Sequence, residues 1–381
     1  MHKSRIGITN WGSISALGAE AKEVWGSYES DISLIQYLPE LYDWGCALLP
    51  ETERLLEVLQ QQHKNYNALD RSVLLAILAS EKATAHWQNK ENIGINIGSS
   101  RGATGLWESF FQQHTEGKIP PLTSPTTTLG NISSWVAYHL GIQGLTMSHS
   151  VTCSTALHAI LNGVVWLESG RCEQFLAGGS EAPLTDFTIA QMRALRIYAP
   201  KEAADYPCRA LDLQSVSNTM VLGEGAACFA LERNSEQPLA WIAGIGFSNE
   251  KIQTATSISG EGLAQSMRMA LREAELDSVD VIVCHAPGTR LGDAVEIQAI
   301  EQIFGKNIPW LTSNKWKIGH TLGASGALSL EMALLMIQHN RVIEIPYLAA
   351  SFGKRPKHIE TVLVNAAGFG GNAVSIILKK P

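Results

Sequence analysis

The sequence predicts an α/β protein built from two copies of one strand-and-helix unit, each forming a mostly parallel sheet covered by helices. Strand-like and helix-like segments alternate along the chain. The order of these segments in the first half recurs in the second half, although the residues themselves differ. A short polar stretch separates the copies. Alternation of this kind is typical of parallel sheets whose crossover connections are helices.

Each copy opens with a strand, continues with a helix and a second strand, then has a strand that leads into a long helix, and closes with two strands. In the first copy these segments are RIGITNWGSIS, LDRSVLLAILASEKATAHW, NIGINIGSS, LTMSHSVTCSTALHAILNGVVWLE, EQFLAGGSE and AACFALE. In the second they are LAWIAGIGFS, GLAQSMRMALREAEL, VDVIVCHAPGT, WLTSNKWKIGHTLGASGALSLEMALLMI, TVLVNAAGFGG and AVSIIL. The polar stretch NSEQPL at 234–239 joins them, and we therefore expect two halves, 1–236 and 237–381.

Composition excludes several classes of protein. The 381 residues are 45% hydrophobic and 17% charged, with a formal net charge of −7 and no strongly basic stretch, which argues against a nucleic-acid-binding protein. The first residues lack the apolar core of an export signal, and no apolar run is long enough to span a bilayer. The six cysteines are scattered and form no CxxC pair. We expect a cytoplasmic protein with reduced thiols.

Cys153 lies where a strand is predicted to turn into a helix. The helix is indicated by apolar residues at helical spacing, namely Ala156, Ile160, Val164 and Leu167. A buried structural cysteine is the simpler interpretation. A position at a helix N-terminus, however, lowers the pKa of a thiol and favours the reactive thiolate. The small polar neighbours of Cys153 also leave room for a substrate.

Two histidines occupy comparable positions in the second copy. His285 follows the buried strand VDVIVC, at the strand end where ligand crevices form in α/β sheets. His320 lies between glycine-rich pieces and is expected to begin the helix that corresponds to the one after Cys153, with Lys315 five residues earlier. If the copies pack about a pseudo-twofold axis, these helix starts converge on one site. The loop GFGG at 368–371 can aim backbone N–H groups at a ligand oxygen.

Five segments, in order and across nearly the whole chain, resemble the β-ketoacyl-acyl carrier protein synthases, which are condensing enzymes of the thiolase fold. VTCSTALHAI is similar to the nucleophile segment, HAPGTRLGD to the first histidine motif and KWKIGHTLGASGA to the lysine–histidine motif. VLGEGAA and NAAGFGG resemble two further family segments. The resemblance implies a layered α-β-α-β-α arrangement of two duplicated halves.

The resemblance also implies residue roles and partners. Cys153 would accept an acyl group, and His285 and His320, supported by Lys315, would promote malonyl decarboxylation. The backbone N–H groups of Cys153 and Phe369 would form an oxyanion hole, with Phe369 as the gate. Substrate contacts would come from Thr289, Gly368 and Gly370. The expected partners are acyl and malonyl carrier proteins and a second, homologous subunit, identical or not, paired through the LTMSHSV strand. No cofactor and no metal are expected.

This chain departs from the family pattern at several positions. Pro287 replaces a usual threonine in the first histidine motif, and Thr219-Met220 replaces a usual Gly-Phe. Ser329 stands where a glutamate usually pairs with the motif lysine, and Glu331 lies two positions further on. These changes suggest a specialised synthase of a fatty-acid, polyketide or polyene pathway.

Three other readings remain open from the sequence. One is a partner subunit that determines chain length and has little activity of its own, although such relatives usually lose the nucleophile. Another is a zinc site of one cysteine and two histidines, which are legitimate ligands without metal-like spacing here. A third is thiolase-type degradation, which usually needs a second cysteine near the C-terminus, whereas no cysteine follows Cys284. For carrier docking, the sequence offers the basic residues Arg193, Arg196, Lys201 and Arg209.

Overall fold

The computed structural model of the chain describes residues 5–202, 204–251, 257–348 and 353–381. The strands are β1 (Ile6–Ser15), β2 (Gln36–Leu38), β3 (Asp43–Gly45), β4 (Ile93–Gly98), β5 (Thr146–Met147), β6 (Gln174–Glu181), β7 (Gly225–Arg233), β8 (Ala240–Asn249), β9 (Val281–Val283), β10 (Trp310–Thr312), β11 (Thr361–Ala367) and β12 (Asn372–Lys379).

The α-helices are α1 (Ala21–Glu29), α2 (Pro50–Gln62), α3 (Arg71–Ala83), α4 (Thr104–Thr115), α5 (Thr123–Thr127), α6 (Asn131–Leu140), α7 (Thr155–Glu168), α8 (Asp186–Ala194), α9 (Glu261–Ala274), α10 (Arg290–Phe304), α11 (Lys315–Ile318) and α12 (Ser325–His339). Short 3₁₀ helices span Pro39–Leu41, Lys64–Ala68 and Leu322–Ala324.

The two halves have the same sheet topology. The strand order across the main sheet is β10-β9-β11-β12-β8-β1-β7-β6-β4-β5. The five strands β5-β4-β6-β7-β1 of the first half therefore match β10-β9-β11-β12-β8 of the second, position by position. Only two residue pairs, Gly7 with Trp241 and Ile8 with Ala240, join the halves at β1 and β8. The predicted duplication is confirmed.

The prediction of mostly parallel sheets is wrong. In the first half, β4 pairs in parallel with both β5 and β6. In the second half, β9 pairs in parallel with both β10 and β11. The remaining pairings, including β1 with β8, are antiparallel. The physical reason is visible in the connections: β11 and β12 are joined by a short turn, which suits antiparallel strands, whereas parallel strands need a crossover segment.

Helices α7 and α12 form the central layer. α7 packs on β4 and β6 of the first half and also reaches β12, while α12 packs on β9 and β11 and also reaches β6 and β7. Helices α3 and α6 cover the first half, and α9 and α10 cover the second. A helix between two sheets is expected to be apolar on all sides, and every residue of α12 from Ser325 to Ile337 is buried.

Strand β6 shows how one sheet separates two apolar layers. Phe175 and Ala177 belong to the core around α7, whereas Leu176 belongs to the core around α3. Successive side chains of a strand point to opposite faces, so a strand covered on both sides is apolar throughout. This explains why the strands in the sequence read as continuous apolar runs instead of alternating ones.

Residues 30–68 connect α1 to α3, and Leu34 N–H donates to Lys317 O of the second half at 2.9 Å. They contain the hairpin of β2 and β3, helix α2 and two 3₁₀ helices. Among the described helices, none has the length and apolar character needed to cross a membrane.

Candidate active site

A strained turn positions Cys153 immediately before α7. Thr152 has φ of +50°, in the left-handed region, and the next residues close the turn through Ser154 N–H to Val151 O at 3.3 Å and Thr155 N–H to Thr152 O at 3.3 Å. The helix begins at Thr155, so Cys153 lies two residues before the helix. A left-handed conformation is unfavourable for a β-branched residue, and such strain is common where a side chain must be aimed into a site.

The turn between β11 and β12 lies directly against this cysteine. A Cβ atom on Gly368 would lie 2.0 Å from Thr152 Oγ1, 3.1 Å from Val151 O and 3.2 Å from Cys153 N. Only glycine leaves space for this approach. The Thr152 hydroxyl donates to the Phe369 carbonyl at 3.4 Å, which ties the two loops together. Phe369 is thereby placed beside Cys153.

The two histidines face each other across the site. Their ring centroids are 5.2 Å apart and the rings are nearly perpendicular, at 83°. His285 follows β9 as predicted. His320 N–H donates to Val221 O at 2.6 Å, and Gly223 N–H donates back to His320 O at 3.1 Å. The VLGEGAA segment therefore fixes the backbone of His320.

The expectation that His320 begins the corresponding helix is wrong. Helix α12 begins at Ser325, and the 3₁₀ helix Leu322–Ala324 separates it from the histidine. Leu322, at the start of that 3₁₀ helix, has φ of +42°. The extra turn directs the chain from the histidine into the central helix.

A cavity of about 270 Å³ brings the predicted residues together. Its lining includes Cys153, His285, Thr289, His320, Gly368 and Phe369. The two departures Pro287 and Met220 also line it. Lys315 and Gly370 are not among the described lining residues, although Gly371 is. Gly370 instead accepts a hydrogen bond from Asn249 Nδ2 at 3.3 Å.

Both histidines are neutral at physiological pH. Burial lowers the pKa of His285 to about 3, with a further contribution from the positive charge of Lys315. Burial also lowers the pKa of His320 well below its ordinary value, with His285 and Lys315 adding to the effect. The main cause is desolvation of the charged form. Each ring can therefore donate one N–H while remaining uncharged.

The expected lowering of the Cys153 pKa is not found. Burial raises the pKa of this thiol to about 12, and the Glu181 carboxylate raises it further, against opposing effects of Lys315 and the N–H of Cys153 itself. The side chain is only 8% exposed, so the loss of hydration of the thiolate outweighs the favourable dipoles. At neutral pH Cys153 is therefore a protonated thiol.

Lys315 is buried and is bound by neutral groups. Its Nζ donates to Asn314 Oδ1 at 2.9 Å and to Ser329 Oγ at 3.2 Å. Glu331 lies elsewhere: it accepts hydrogen bonds from Ser13 Oγ and Tyr28 Oη. Burial lowers the pKa of Lys315 to about 8, against an opposing effect of the Glu296 carboxylate.

Sequence reasoning missed three buried carboxylates that hold the loops of the site. Glu181 accepts from Ser99 Oγ at 2.8 Å, Ser100 N at 2.7 Å and Gly323 N at 2.9 Å, and so joins a loop of each half. Glu296 accepts from the N–H groups of His285 at 2.9 Å and Ala286 at 2.7 Å. Asp293 accepts from the N–H groups of Leu211, Gly288 and Thr289. The available signal was an acidic residue at the end of β6, Glu181, and two acidic residues three positions apart on one face of α10, Asp293 and Glu296.

The predicted basic patch is largely neutralised. Arg193 and Lys201 both pair with Asp43, and Arg209 pairs with Asp212 at 2.6 Å. Arg196 is exposed at the end of α8. Among the described residues, Arg193, Lys201 and Arg209 each pair with an aspartate, whereas no ion pair is found for Arg196.

Three further histidines, His149, His158 and His339, make local contacts away from the cavity. His158 Nδ1 contacts Ser154 O at 3.0 Å within its own helix, as expected for a structural residue. His149 Nδ1 contacts Asn96 Oδ1 at 3.0 Å, and His339 stacks on Trp25 at 4.0 Å. All six cysteines are free thiols. Within the described ranges, no group of three or more His, Cys, Asp or Glu residues is arranged to hold a metal ion.

Known proteins match the chain over nearly its whole length. The family model "Beta-ketoacyl synthase, N-terminal domain" matches residues 4–237, and "Beta-ketoacyl synthase, C-terminal domain" matches residues 239–348. Nodulation protein E of Rhizobium leguminosarum bv. trifolii is 30% identical over 88% of this chain and 86% of its own. The 3-oxoacyl-[acyl-carrier-protein] synthase 1 of Buchnera aphidicola is 26% identical over 99% of both chains.

Solved structures show the same fold. The structure titled "The ishigamide ketosynthase/chain length factor" superimposes with a TM-score of 0.87 at 20% identity, covering 100% of both chains. The duplicated halves, the central pair of helices and the matches to both family models agree with this superposition. The thiolase-like fold is therefore confirmed. The chain belongs to the β-ketoacyl synthase family of condensing acyltransferases.

Proposed function

We propose that the chain is a β-ketoacyl synthase that transfers an acyl group to Cys153 and then condenses it with a malonyl unit, both delivered on acyl carrier protein. The observation that carries the proposal is the cavity in which Cys153, His285 and His320 meet, although they lie far apart along the chain. A thiol with two neutral imidazoles suits acyl transfer followed by enolate stabilisation.

In the first step, the Cys153 sulfur attacks the thioester carbonyl carbon of the acyl carrier. The Cys153 thiol must lose its proton first, and both Lys315 and the N–H of Cys153 favour the thiolate. The carbonyl oxygen becomes an oxyanion beside the N–H groups of Cys153 and Phe369, which Gly368 allows to approach each other. The new C–S bond forms as the C–S bond to the carrier breaks, and the departing carrier thiolate takes up the proton that Cys153 gave up.

In the second step, the malonyl thioester loses carbon dioxide. The electron pair of the broken C–C bond moves into an enolate whose oxygen accepts from the N–H groups of His285 and His320. Because both rings are neutral, they stabilise this charge without transferring a proton outright. One lost donor of this kind costs about 3 kcal/mol. The enolate carbon then attacks the acyl group on Cys153, forming the new C–C bond and releasing the thiolate.

The test is intact-mass spectrometry of the protein incubated with a panel of acyl-carrier thioesters, followed by malonyl carrier. The wild type should gain the mass of one acyl group and then lose it as the β-ketoacyl product forms. Cys153→Ala should gain no mass and form no product. Condensation by Cys153→Ala at the wild-type rate would refute the proposal. Absence of acylation in the wild type would favour a chain-length-determining partner subunit instead, and the retained chain length would narrow the pathway.

Carrier docking is proposed at Arg196 and Arg290, both exposed beside the cavity. Asn218, which lines the cavity, donates from Nδ2 to Arg196 O at 2.8 Å and accepts at Oδ1 from Arg290 N–H at 2.9 Å. Both arginines are thereby held at the cavity opening. A positive rim on a chain of net charge −7 steers an acidic carrier. Arg196→Glu should raise the KM for acyl carrier and leave the reaction with a carrier-free thioester unchanged.

A dimer is proposed across β5, with an identical or a homologous subunit. β5 is one of the two edge strands of the main sheet, and an unpaired edge can continue into a second sheet. Large exposed apolar residues lie on the helical layer beside it, including Trp107, Phe111 and Tyr138. Light scattering of the purified chain, alone and with a co-expressed homologue, distinguishes the two assemblies. For the compartment, the six free thiols support the cytoplasm.

A further inference from the structure

Glu181 ends strand β6 and lies where the two halves of the chain meet. Its side chain is fully buried. One carboxyl oxygen accepts from Ser99 Oγ at 2.8 Å and from the N–H of Arg101 at 3.1 Å. The other accepts from Ser100 N–H at 2.7 Å, from Ser100 Oγ at 2.6 Å and from Gly323 N–H at 2.9 Å. The carboxyl group therefore joins the loop after β4 in the first half to the 3₁₀ helix before α12 in the second.

Three of these donors are backbone N–H groups, namely those of Ser100, Arg101 and Gly323. A backbone N–H can only donate, so both oxygens of Glu181 act as acceptors there. Burial raises the pKa of Glu181, whereas the hydrogen bonds from Ser100, Ser99 and Gly323 lower it. Burial of a carboxyl group is costly unless such donors surround it. An apolar side chain at position 181 would remove the acceptor of each N–H group.

The two segments approach each other too closely for a side chain at position 323. A Cβ atom on Gly323 would lie 2.4 Å from Ser100 N and 2.6 Å from Glu181 Oε2. Gly179 of β6 provides similar space, since a Cβ atom there would lie 2.8 Å from Gly323 O and 2.8 Å from Ala156 Cβ. Helix α7 and the 3₁₀ helix before α12 are therefore packed against the same end of β6.

The backbone around His320 is held from both sides. The N–H of His320 donates to Val221 O at 2.6 Å. Two residues later, Leu322 lines the cavity and has φ of +42°, which is unfavourable for a residue with a side chain. Such a conformation persists only where the surrounding structure determines it. The hydrogen bond from the next residue, Gly323, to Glu181 supplies such a constraint.

The loop after β4 is also bound to the chain just before the nucleophile. Ser99 N–H donates to His149 O at 3.3 Å, and Ser150 Oγ donates to Ser100 O at 3.1 Å. Cys153 follows three residues after the second of these contacts. The carboxyl group at the end of β6 therefore links the segment that leads to Cys153 with the segment that follows the second histidine.

We propose that Glu181 is a positioning residue that sets the distance between Cys153 and His320 across the two halves. The inference rests on the proposed function, because it concerns the step in which the enolate formed beside His320 attacks the acyl group on Cys153. The preceding acyl transfer uses the N–H groups of Cys153 and Phe369 and does not need His320. Loss of the Glu181 contacts should therefore slow condensation more than acylation.

The first variant, Glu181→Leu, removes the acceptor and keeps a side chain of similar size. The protein is acylated at Cys153 by an acyl carrier and then mixed with malonyl carrier, and both rates are read by intact mass. Condensation should be roughly 10²-fold slower than in the wild type, which is the effect of one misplaced oxyanion donor. The rate of acylation should change far less.

A second variant, Glu181→Gln, separates the hydrogen bonds from the charge. Its amide oxygen can accept from the N–H groups of Ser100 and Gly323, while its NH₂ group opposes a single backbone donor, the N–H of Arg101. Condensation by Glu181→Gln should therefore stay much closer to the wild-type rate than condensation by Glu181→Leu. Equal losses are expected only if the charge of the carboxylate is what matters.

Asp70→Leu is the matched control for the loss of a buried carboxyl group. Asp70 is 3% exposed and accepts from Ser72 N–H at 2.9 Å, Ser72 Oγ at 2.6 Å and Leu106 N–H at 3.2 Å, so these donors all lie in the first half. The control should lower the Tm, as Glu181→Leu does, and keep the wild-type rate of condensation.

Gly323→Ala tests the same contacts from the second half. The added methyl group would displace the Glu181 oxygen or the N–H of Ser100, so it should slow condensation more than acylation, as Glu181→Leu does. This variant also serves as the test if Glu181→Leu does not fold.

A folded Glu181→Leu protein that condenses at the wild-type rate would overturn the inference. Equal losses in Glu181→Leu and Glu181→Gln would do the same, and so would equal losses of acylation and condensation in Glu181→Leu. A wild-type protein that takes up no acyl group and forms no condensation product would instead refute the proposed function, and the inference with it. The two failures are distinguished by the activity of the wild type.

Discussion

Gly368→Ala should separate acyl transfer from the reactivity of Cys153. The added methyl would lie 2.0 Å from Thr152 Oγ1, 3.1 Å from Val151 O and 3.2 Å from Cys153 N, where ordinary contacts begin at 3.4 Å. Rotation of the Thr152 side chain relieves the first contact, but the other two involve backbone atoms. The loop carrying Phe369 must therefore move away from Cys153 by a few tenths of an ångström or more, and the 3.4 Å hydrogen bond from Thr152 Oγ1 to Phe369 O is lost.

This displacement misplaces one of the two proposed oxyanion donors. The loss of one such donor costs about 3 kcal/mol of transition-state stabilisation, which corresponds to roughly 10²-fold in rate. Alkylation of the thiol by iodoacetamide has no oxyanion intermediate, so its rate should change far less.

The assay compares the rate of Cys153 acylation by an acyl-carrier thioester with the rate of iodoacetamide alkylation, both read by intact mass. Gly130→Ala is the matched control, because its φ is −61° and a methyl there would meet no atom within 4 Å. Wild-type acylation by a folded Gly368→Ala protein would refute the assigned oxyanion hole. Equal loss of both rates would show that the variant damages Cys153 itself.

Three further predictions concern stability. Gly26→Ala, at an exposed position in α1 with open space around it, should raise the free energy of unfolding by about 0.5–1 kcal/mol in urea titrations, and a decrease would contradict the helix assignment. Leu334 is fully buried in α12, so Leu334→Ala should lower the free energy of unfolding by about 3 kcal/mol. Val58 is 55% exposed on α2, so Val58→Ala should change that free energy by less than about 0.5 kcal/mol. Similar losses in the two variants would contradict the burial assigned to α12. Burial, with His158 nearby, lowers the pKa of His149 to about 4 from an ordinary 6.5, so between these values the unfolded chain binds a proton that the folded chain does not. The wild type should therefore lose stability as the pH falls through this window. The Tm of His149→Gln should fall less than that of the wild type between pH 7 and pH 5. An equal fall in Tm would show that His149 is not held in its neutral form by burial.

The order of elements could be read from the sequence because it depends on local patterns. Apolar runs, helical spacing and turn residues recur in both halves, so the duplication, α7 after Cys153 and α12 after His320 were predictable. Strand direction was not, because it depends on which strands become neighbours. The antiparallel pairing of β7 with β1 and β6 joins residues that are distant along the chain.

The functional residues Cys153, His285 and His320 were predictable as candidates because their motifs are contiguous. Their surroundings were not. The raised pKa of the Cys153 thiol follows from burial, which no short segment reveals. Arg193 pairs with Asp43, which lies 150 positions away along the chain. Of the two neutral partners of Lys315, Asn314 is adjacent in the sequence, whereas Ser329 lies on a later helix.

The sequence by itself determined the elements, their repeated order and the side chains available for chemistry, since these follow from the residues of each segment. Only the tertiary structure decided which charges are paired, which groups lose their hydration and which hydroxyl or amide faces the buried lysine. The physical reason is that solvation and hydrogen bonding depend on distances across the packed halves.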